Sequence, residues 1–241
     1  MKILSIGNSF SQDAQRYLNG IALAAGKKCK NMNLYIGGCA LATHFKKIFG
    51  DEAAYGLEYR GEMLNLSVSA RQVILSDSWD IITVQQASRV SCDFKTMEPY
   101  IKKIVDEVRF LCPSAKVYIH RTWGYETGSS LLAETGFSTM AEMDAAVKSA
   151  YAQAMKFVGA DGIIPSGDAM LALSLAGIGR AHRDGFHASL GMGRYTLALT
   201  WFESIFGESC IGNSFRDFDE EISEDAVTLC QRIAAEAVRG G

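Results

Sequence analysis

The chain alternates short apolar runs with longer segments of helical period, and this rhythm constrains its fold more than any other feature. The runs Lys2–Ile6, Met32–Ile36, Ile81–Val84, Lys116–His120 and Gly162–Ile164 precede helix-period stretches at Gln12–Ala25, Leu41–Phe49, Phe94–Leu111, Thr139–Val158 and Asp168–Ala176. Strands that are each followed by a helix point to parallel pairing, because parallel neighbours need a crossover and crossovers are right-handed. The expected architecture is α/β, with a central five-stranded parallel sheet between two helical layers.

Side-chain spacing supports the helices. In Tyr100–Phe110, Ile101, Ile104, Val105 and Val108 recur at three- and four-residue intervals while Lys102, Lys103, Glu107 and Arg109 fill the other side, so one stripe packs on the sheet. Pro113 stops this helix before the next strand. Asp217–Arg239 shows the same amphipathic spacing and is expected to cover a sheet face. Two stretches interrupt the rhythm: Asp51–Leu66, whose Leu57–Leu64 segment reads as a small hairpin, and Arg121–Phe137, rich in Gly, Thr and Ser. Both lie between core elements, so residues 1–241 are read as one domain with insertions near 51–66 and 121–137.

Composition narrows the function. With 24 Lys+Arg against 27 Asp+Glu the formal charge is −3, which argues against a broad phosphate-binding face and hence against nucleic acid as partner. The six cysteines contain no CxxC pair and read as reduced thiols. No stretch approaches the roughly 20 apolar residues of a membrane span. The opening run Ile3–Ile6 is shorter than the about 7–15 apolar residues of a signal peptide. The cytoplasm is the expected compartment, with secretion expected instead if a leader precedes Met1. Oligomeric state is not legible.

In an open parallel sheet the ligand crevice lies outside the carboxyl ends of the strands. There the sequence places Gly7-Asn8-Ser9-Phe10-Ser11, Gly37-Gly38-Cys39, Gln85-Gln86-Ala87-Ser88 and His120-Arg121-Thr122-Trp123, and later Arg183-Asp184-Gly185-Phe186-His187. Ser9, at a strand-to-helix turn, can cap the helix or act as a nucleophile. Asp184 and His187 are spaced so that the carboxylate can take one imidazole nitrogen while the other points outward; the same spacing also caps helices. His182, Asp184 and His187 contain metal-ligand types without a metal-site spacing, so no metal or other cofactor is expected. Outside that reading, His182 reads as a surface residue and His44 as a side chain near the rim. The glycine turn lacks the pattern of a phosphate loop. Trp123 is either a cap on the apolar sheet edge or a wall for substrate.

Together, the Gly7-Asn8-Ser9-Phe10-Ser11 turn, the glycine turn after the second strand, the amide after the third and Asp184-Gly185-Phe186-His187 resemble the SGNH (GDSL-type) hydrolase superfamily. More narrowly, they resemble a bacterial subfamily of it without assigned function. The resemblance covers essentially the whole chain and implies a flavodoxin-like SGNH hydrolase fold and a serine esterase. Position by position, it implies Ser9 as nucleophile, His187 as general base and acid, and Asp184 as the residue that orients the imidazole. It implies an oxyanion hole from the Ser9 N–H, the Gly38 N–H and an amide after the third strand. That amide departs from the family's asparagine: Gln85-Gln86 stands there, as in carbohydrate acetylesterases of the superfamily, and Gln86 is the expected donor because strand alternation turns Gln85 the other way. Asn8, Gln85 and Trp123 are the expected substrate contacts. The implied substrate is a small-molecule or glycan ester, acetyl in preference; a lipase or thioesterase, or a non-catalytic binder keeping the fold, is the alternative.

Overall fold

The computed structural model describes residues 1–240, so the last residue of the expected 1–241 unit lies outside the described residues. The strands are β1 (Lys2–Gly7), β2 (Lys30–Tyr35), β3 (Tyr55–Tyr59), β4 (Glu62–Val68), β5 (Ile81–Val84), β6 (Lys116–His120) and β7 (Gly162–Ile164). Among the described residues they form one sheet in the order β4-β3-β2-β1-β5-β6-β7. The five expected strands are all present, and β2-β1-β5-β6-β7 pair in parallel. On β1, Ile3, Leu4, Ser5 and Ile6 are all buried, as a central strand covered on both faces requires.

The sheet has seven strands and is mixed, against the expected five in parallel. The hairpin foreseen in the Asp51–Leu66 insertion is longer than its local pattern suggested, and it adds antiparallel to β2, with Leu57 opposite Leu34. Without it, β2 would present a row of unpaired backbone groups at the sheet edge. Arg60 and Gly61 make the two-residue turn with φ of 53° and 80°, the conformation a tight hairpin needs. A Cβ on Gly61 would stand 2.6 Å from the Arg16 carbonyl oxygen, so the hairpin tip packs closely against the rest of the chain.

Helices differ from the expected bounds where tertiary contacts intervene. The stretch Gln12–Ala25 divides into Ser9–Gln15 and Leu18–Ala24, because Tyr17 turns inward between Phe215 and Phe218 and its hydroxyl accepts from Asp219 N at 2.8 Å. The last helix spans Glu224–Gly240. Residues 217–223 are not helical; there Phe218 packs on Tyr17 and Tyr195 while Asp219 pairs with Arg16 and Arg194. The Tyr100–Leu111 helix buries Ile101, Ile104, Val105 and Val108 as its spacing requires.

The Ser9–Gln15, Leu18–Ala24, Met192–Phe206 and Glu224–Gly240 helices pack together, as do Leu41–Phe49, Ala70–Leu75, Tyr100–Leu111 and Met140–Val158. These two groups are the outer layers of the sandwich. Among the described residues no helix is long and apolar enough to cross a membrane.

Candidate active site

β1 ends at Gly7, where a Cβ would stand 2.1 Å from Ser11 Oγ, so the tight turn into the next helix requires glycine. Asn8 caps that helix: its Oδ1 accepts from Phe10 N at 3.0 Å. Capping is therefore done by the residue before Ser9, and the Ser9 hydroxyl is left for another partner.

That partner comes from the loop after the Ser166–Ala176 helix. His182 and Ala188 bridge its two ends, and between them Asp184 Oδ1 accepts from the His187 N–H at 2.8 Å and the Phe186 N–H at 3.3 Å. The turn presents the other oxygen to the ring: His187 Nδ1 lies 2.7 Å from Asp184 Oδ2 and His187 Nε2 2.8 Å from Ser9 Oγ. With Nδ1–H donating to the carboxylate, Nε2 is left to accept the serine proton. Burial raises the Asp184 pKa, but hydrogen bonds from the His187 ring and backbone outweigh this and hold the carboxyl below its usual range. The three residues singled out in the sequence therefore meet.

A buried ion cluster fixes the spacing between the two halves. Asp13 lies one turn after Ser9 and is fully buried; it accepts from Arg183 Nη1 at 3.0 and 2.9 Å and from Arg194 Nε at 2.9 Å. Arg183 directly precedes Asp184 and also donates to the Ala188 carbonyl, so one guanidinium joins the histidine loop to the serine helix. Sequence reading missed Asp13. A carboxylate four positions after Ser9, on a helix expected to pack on the sheet, is the signal that could have found it.

Gly38 has a φ of 61° with open space where a Cβ would stand. Among the described residues the Ser9 and Gly38 N–H groups donate to no protein acceptor. Both residues line a cavity of about 350 Å³ together with Asn8, Phe10, Ala87, Ser88, Arg89, Tyr125, Leu131 and Phe186. Tyr125 and Leu131 come from the Arg121–Phe137 insertion, so that segment shapes the cavity wall.

Three expected contacts are corrected. Gln86 does not front the cavity: its Nε2 donates to Thr96 O at 3.0 Å and to Thr96 Oγ1 at 3.2 Å, and its Oε1 accepts from Leu41 N at 2.8 Å and Ala87 N at 2.9 Å. Its amide joins three backbone segments and is not free for an oxyanion. Gln85 is also buried. Its Nε2 donates to Asn8 Oδ1 at 2.7 Å, its Oε1 lies 2.5 Å from His120 Nδ1, and His120 Nε2 lies 3.0 Å from Ser166 Oγ. Burial lowers the His120 pKa to about 3, so the ring is neutral, with Nδ1–H donating to Gln85 and Nε2 accepting from Ser166. Gln85 thus positions Asn8 and does not reach substrate. Trp123 is fully buried, stacked on Phe10 with ring centroids 3.9 Å apart, and donates to Phe186 O at 2.7 Å. It is the floor under the cavity wall.

The remaining histidines are not rim or surface residues either. His44 is buried with its Nδ1 3.1 Å from the Tyr55 hydroxyl, and His182 is buried with its Nε2 3.2 Å from Gly124 O. Burial lowers their pKa values to about 3 and about 4. Among the described residues no group of three or more His, Cys, Asp or Glu is placed to hold a metal ion.

The corrected role of Gln86 sets an expected outcome. Gln86→Met keeps the length of the side chain but strands the Leu41 and Ala87 N–H groups. Unfolding in urea should show a loss of about 1–3 kcal/mol, with turnover per folded molecule falling less than tenfold. A loss of 10² or more in turnover at unchanged stability would restore Gln86 as an oxyanion donor.

Comparison with known proteins places the fold. The family model described as "Domain of unknown function (DUF4886)" matches residues 2–237. A crystal structure of a DUF4886 family protein from Bacteroides uniformis is 31% identical, covers 99% of this chain and 95% of its own, and superposes with a TM-score of 0.92. A candidate SGNH hydrolase from Slackia heliotrinireducens is 23% identical over 85% of this chain and 98% of its own, with a TM-score of 0.59. A candidate GDSL-like lipase from Parabacteroides merdae is 12% identical over 86% and 96%, with a TM-score of 0.58. The last two share the fold, that of the SGNH hydrolases. No curated protein matches the chain.

Proposed function

This chain belongs to the DUF4886 family, and we propose that it is a serine hydrolase of carboxylic esters. One observation carries the reading: Ser9 Oγ, His187 Nε2, His187 Nδ1 and Asp184 Oδ2 form a continuous line of 2.8 and 2.7 Å contacts at the edge of a cavity that Ser9 itself lines.

The chemistry follows from those positions. Ser9 Oγ attacks the acyl carbonyl carbon while its proton passes to His187 Nε2. The carbonyl oxygen gains the negative charge and meets the Ser9 and Gly38 N–H groups, two donors already free of protein acceptors, so no hydrogen bond is broken to receive it. His187 then gives its proton to the departing alkoxide, which leaves as the alcohol and closes the acyl-enzyme. Water attacks the acyl carbon with His187 again taking a proton, and that proton returns to Ser9 as the acid is released. Asp184, held below the usual carboxylate range, remains ionised and stabilises the imidazolium that forms in both halves. No step needs a metal or an organic cofactor.

The size and lining of the cavity support small acyl groups, acetyl first. About 350 Å³ must hold both sides of the ester bond, and Leu131 and Phe186 offer the partly exposed aliphatic and aromatic surface of its lining. The partly exposed ring of Phe186 suits a sugar ring as the alcohol part, so an acetylated carbohydrate is the preferred substrate class. Hydrolysis of 4-nitrophenyl acetate and octanoate tests the acyl preference. kcat/KM is expected to favour acetate, and a strong preference for octanoate would replace this reading with a lipase or thioesterase. Fluorophosphonate labelling tests the reaction class: an adduct on Ser9 is expected, and its absence from active-site-intact protein would support a non-catalytic binder.

A further inference from the structure

Resting on that reading of Ser9, we infer that the cavity selects esters that carry an anionic group, and that Arg89 is the residue that selects them. Arg89 is the one formally charged side chain among the described residues that line the cavity. It lies five residues past the β5 end, in the short turn Ser88–Val90. The neighbouring Ser88 and Tyr125 hydroxyls, 2.9 Å apart, share one hydrogen bond, and the guanidinium is the one charged donor among the described residues of the lining.

The guanidinium is also poorly matched within the protein. Its nearest carboxylate is Glu134, at 3.7 Å from Nη2, and the two side chains are 74% and 63% exposed. That separation is beyond hydrogen-bond reach, and a pair so exposed is worth little. A structural arginine would be seen with its donors on backbone carbonyls or a close carboxylate, as Arg183 is on Asp13 and Ala188. Arg89 instead keeps its planar fork of donors open at the mouth of the Ser9 cavity, the geometry suited to a carboxylate, sulfate or phosphate.

The fit is to an ester whose carbonyl reaches Ser9 while a negative group elsewhere in the same molecule reaches Arg89. Either half of the ester can carry that group, and matched pairs separate the two cases. Phenyl acetate against 3-carboxyphenyl acetate places the charge on the alcohol side; 4-nitrophenyl butyrate against mono-4-nitrophenyl succinate places it on the acyl side. After normalisation to hydroxide-catalysed rates, kcat/KM is expected to favour the charged member of at least one pair. Arg89→Gln is expected to reduce that preference about ten- to hundredfold, chiefly through KM, and added salt to weaken it further.

Binding is measured separately, so that failure of the hydrolase reading is not mistaken for failure of this one. Titration calorimetry of the four esters into Ser9→Ala and Ser9→Ala/Arg89→Gln proteins reads affinity without turnover. Tighter binding of a charged ester that depends on Arg89 supports the inference even if no ester is hydrolysed. Equal binding of charged and neutral members, or a preference that survives Arg89→Gln, overturns it.

Discussion

Ser9→Ala is expected to lower ester turnover by about 10⁴–10⁶-fold and to abolish fluorophosphonate labelling, with little change in the urea midpoint. The magnitude follows from what the substitution removes. Without the hydroxyl there is no acyl-enzyme, and the residual rate comes from the two backbone donors and from binding alone. His187→Ala should lose a comparable factor, because Ser9 is then a neutral alcohol without a base within reach. The test of mechanism is the double variant. Ser9 and His187 share one proton across a 2.8 Å contact, so removing both should cost about as much as removing either. If the two losses multiply, the residues act in separate steps and the triad reading is wrong.

Asp13→Ala is expected to give the largest stability loss of any single polar substitution near the site, about 3–5 kcal/mol. Asp13 is 0% exposed and answers two guanidinium groups. Its removal leaves Arg183 facing a buried gap, whereas Arg194 retains Asp219 at 2.6 Å. Since whole domains are stable by only about 5–15 kcal/mol, the variant must be studied at low temperature. Activity per folded molecule should also fall, because Arg183 is what ties the Asp184–His187 turn to the serine helix. Asp13→Leu/Arg183→Met separates the two effects: replacing the ion pair by apolar groups should recover part of the stability while kcat stays low. Recovery of both would reduce Asp13 to a purely structural role, and a stability loss under about 1 kcal/mol would mean that water replaces the carboxylate there.

Much of the sheet was legible because its signals are local. Ile81–Val84, Lys116–His120 and Gly162–Ile164 form the strands their apolar runs marked; the rule that ligands gather beyond parallel strand ends points to the turns of Ser9 and Gly38, and the spacing of Asp184 and His187 marks theirs. The hairpin was visible as a hairpin. Its pairing with β2 was not, since any strand with free backbone groups on one edge could have received it. The break at Tyr17 was hidden for a similar reason: the helical period runs through Arg16 and Tyr17, and only Phe215, Phe218 and Asp219, some two hundred residues away, draw the ring inward.

The Gln85-Gln86 pair marks the boundary most sharply. Local alternation correctly sends two adjacent amides to opposite sides of a strand end, but it cannot say what waits on either side. Leu41 and Thr96, 45 and 10 residues away, claim one amide, and Asn8 and His120, 77 and 35 residues away, the other.

By itself the amino-acid order determined the α/β layering, the strand ends where chemistry gathers, and the residue types able to form a nucleophile, a base and its orienting carboxylate. Those properties depend on periodicity and on side-chain chemistry within a few residues. Tertiary structure alone decided that Ser9 meets His187, that Asp13 clamps the loop between them, that Gln86 and Trp123 turn away from the cavity, and that Arg89 faces it. Each of these is a choice among partners of similar local merit, and it is settled by which distant groups burial leaves within hydrogen-bonding distance.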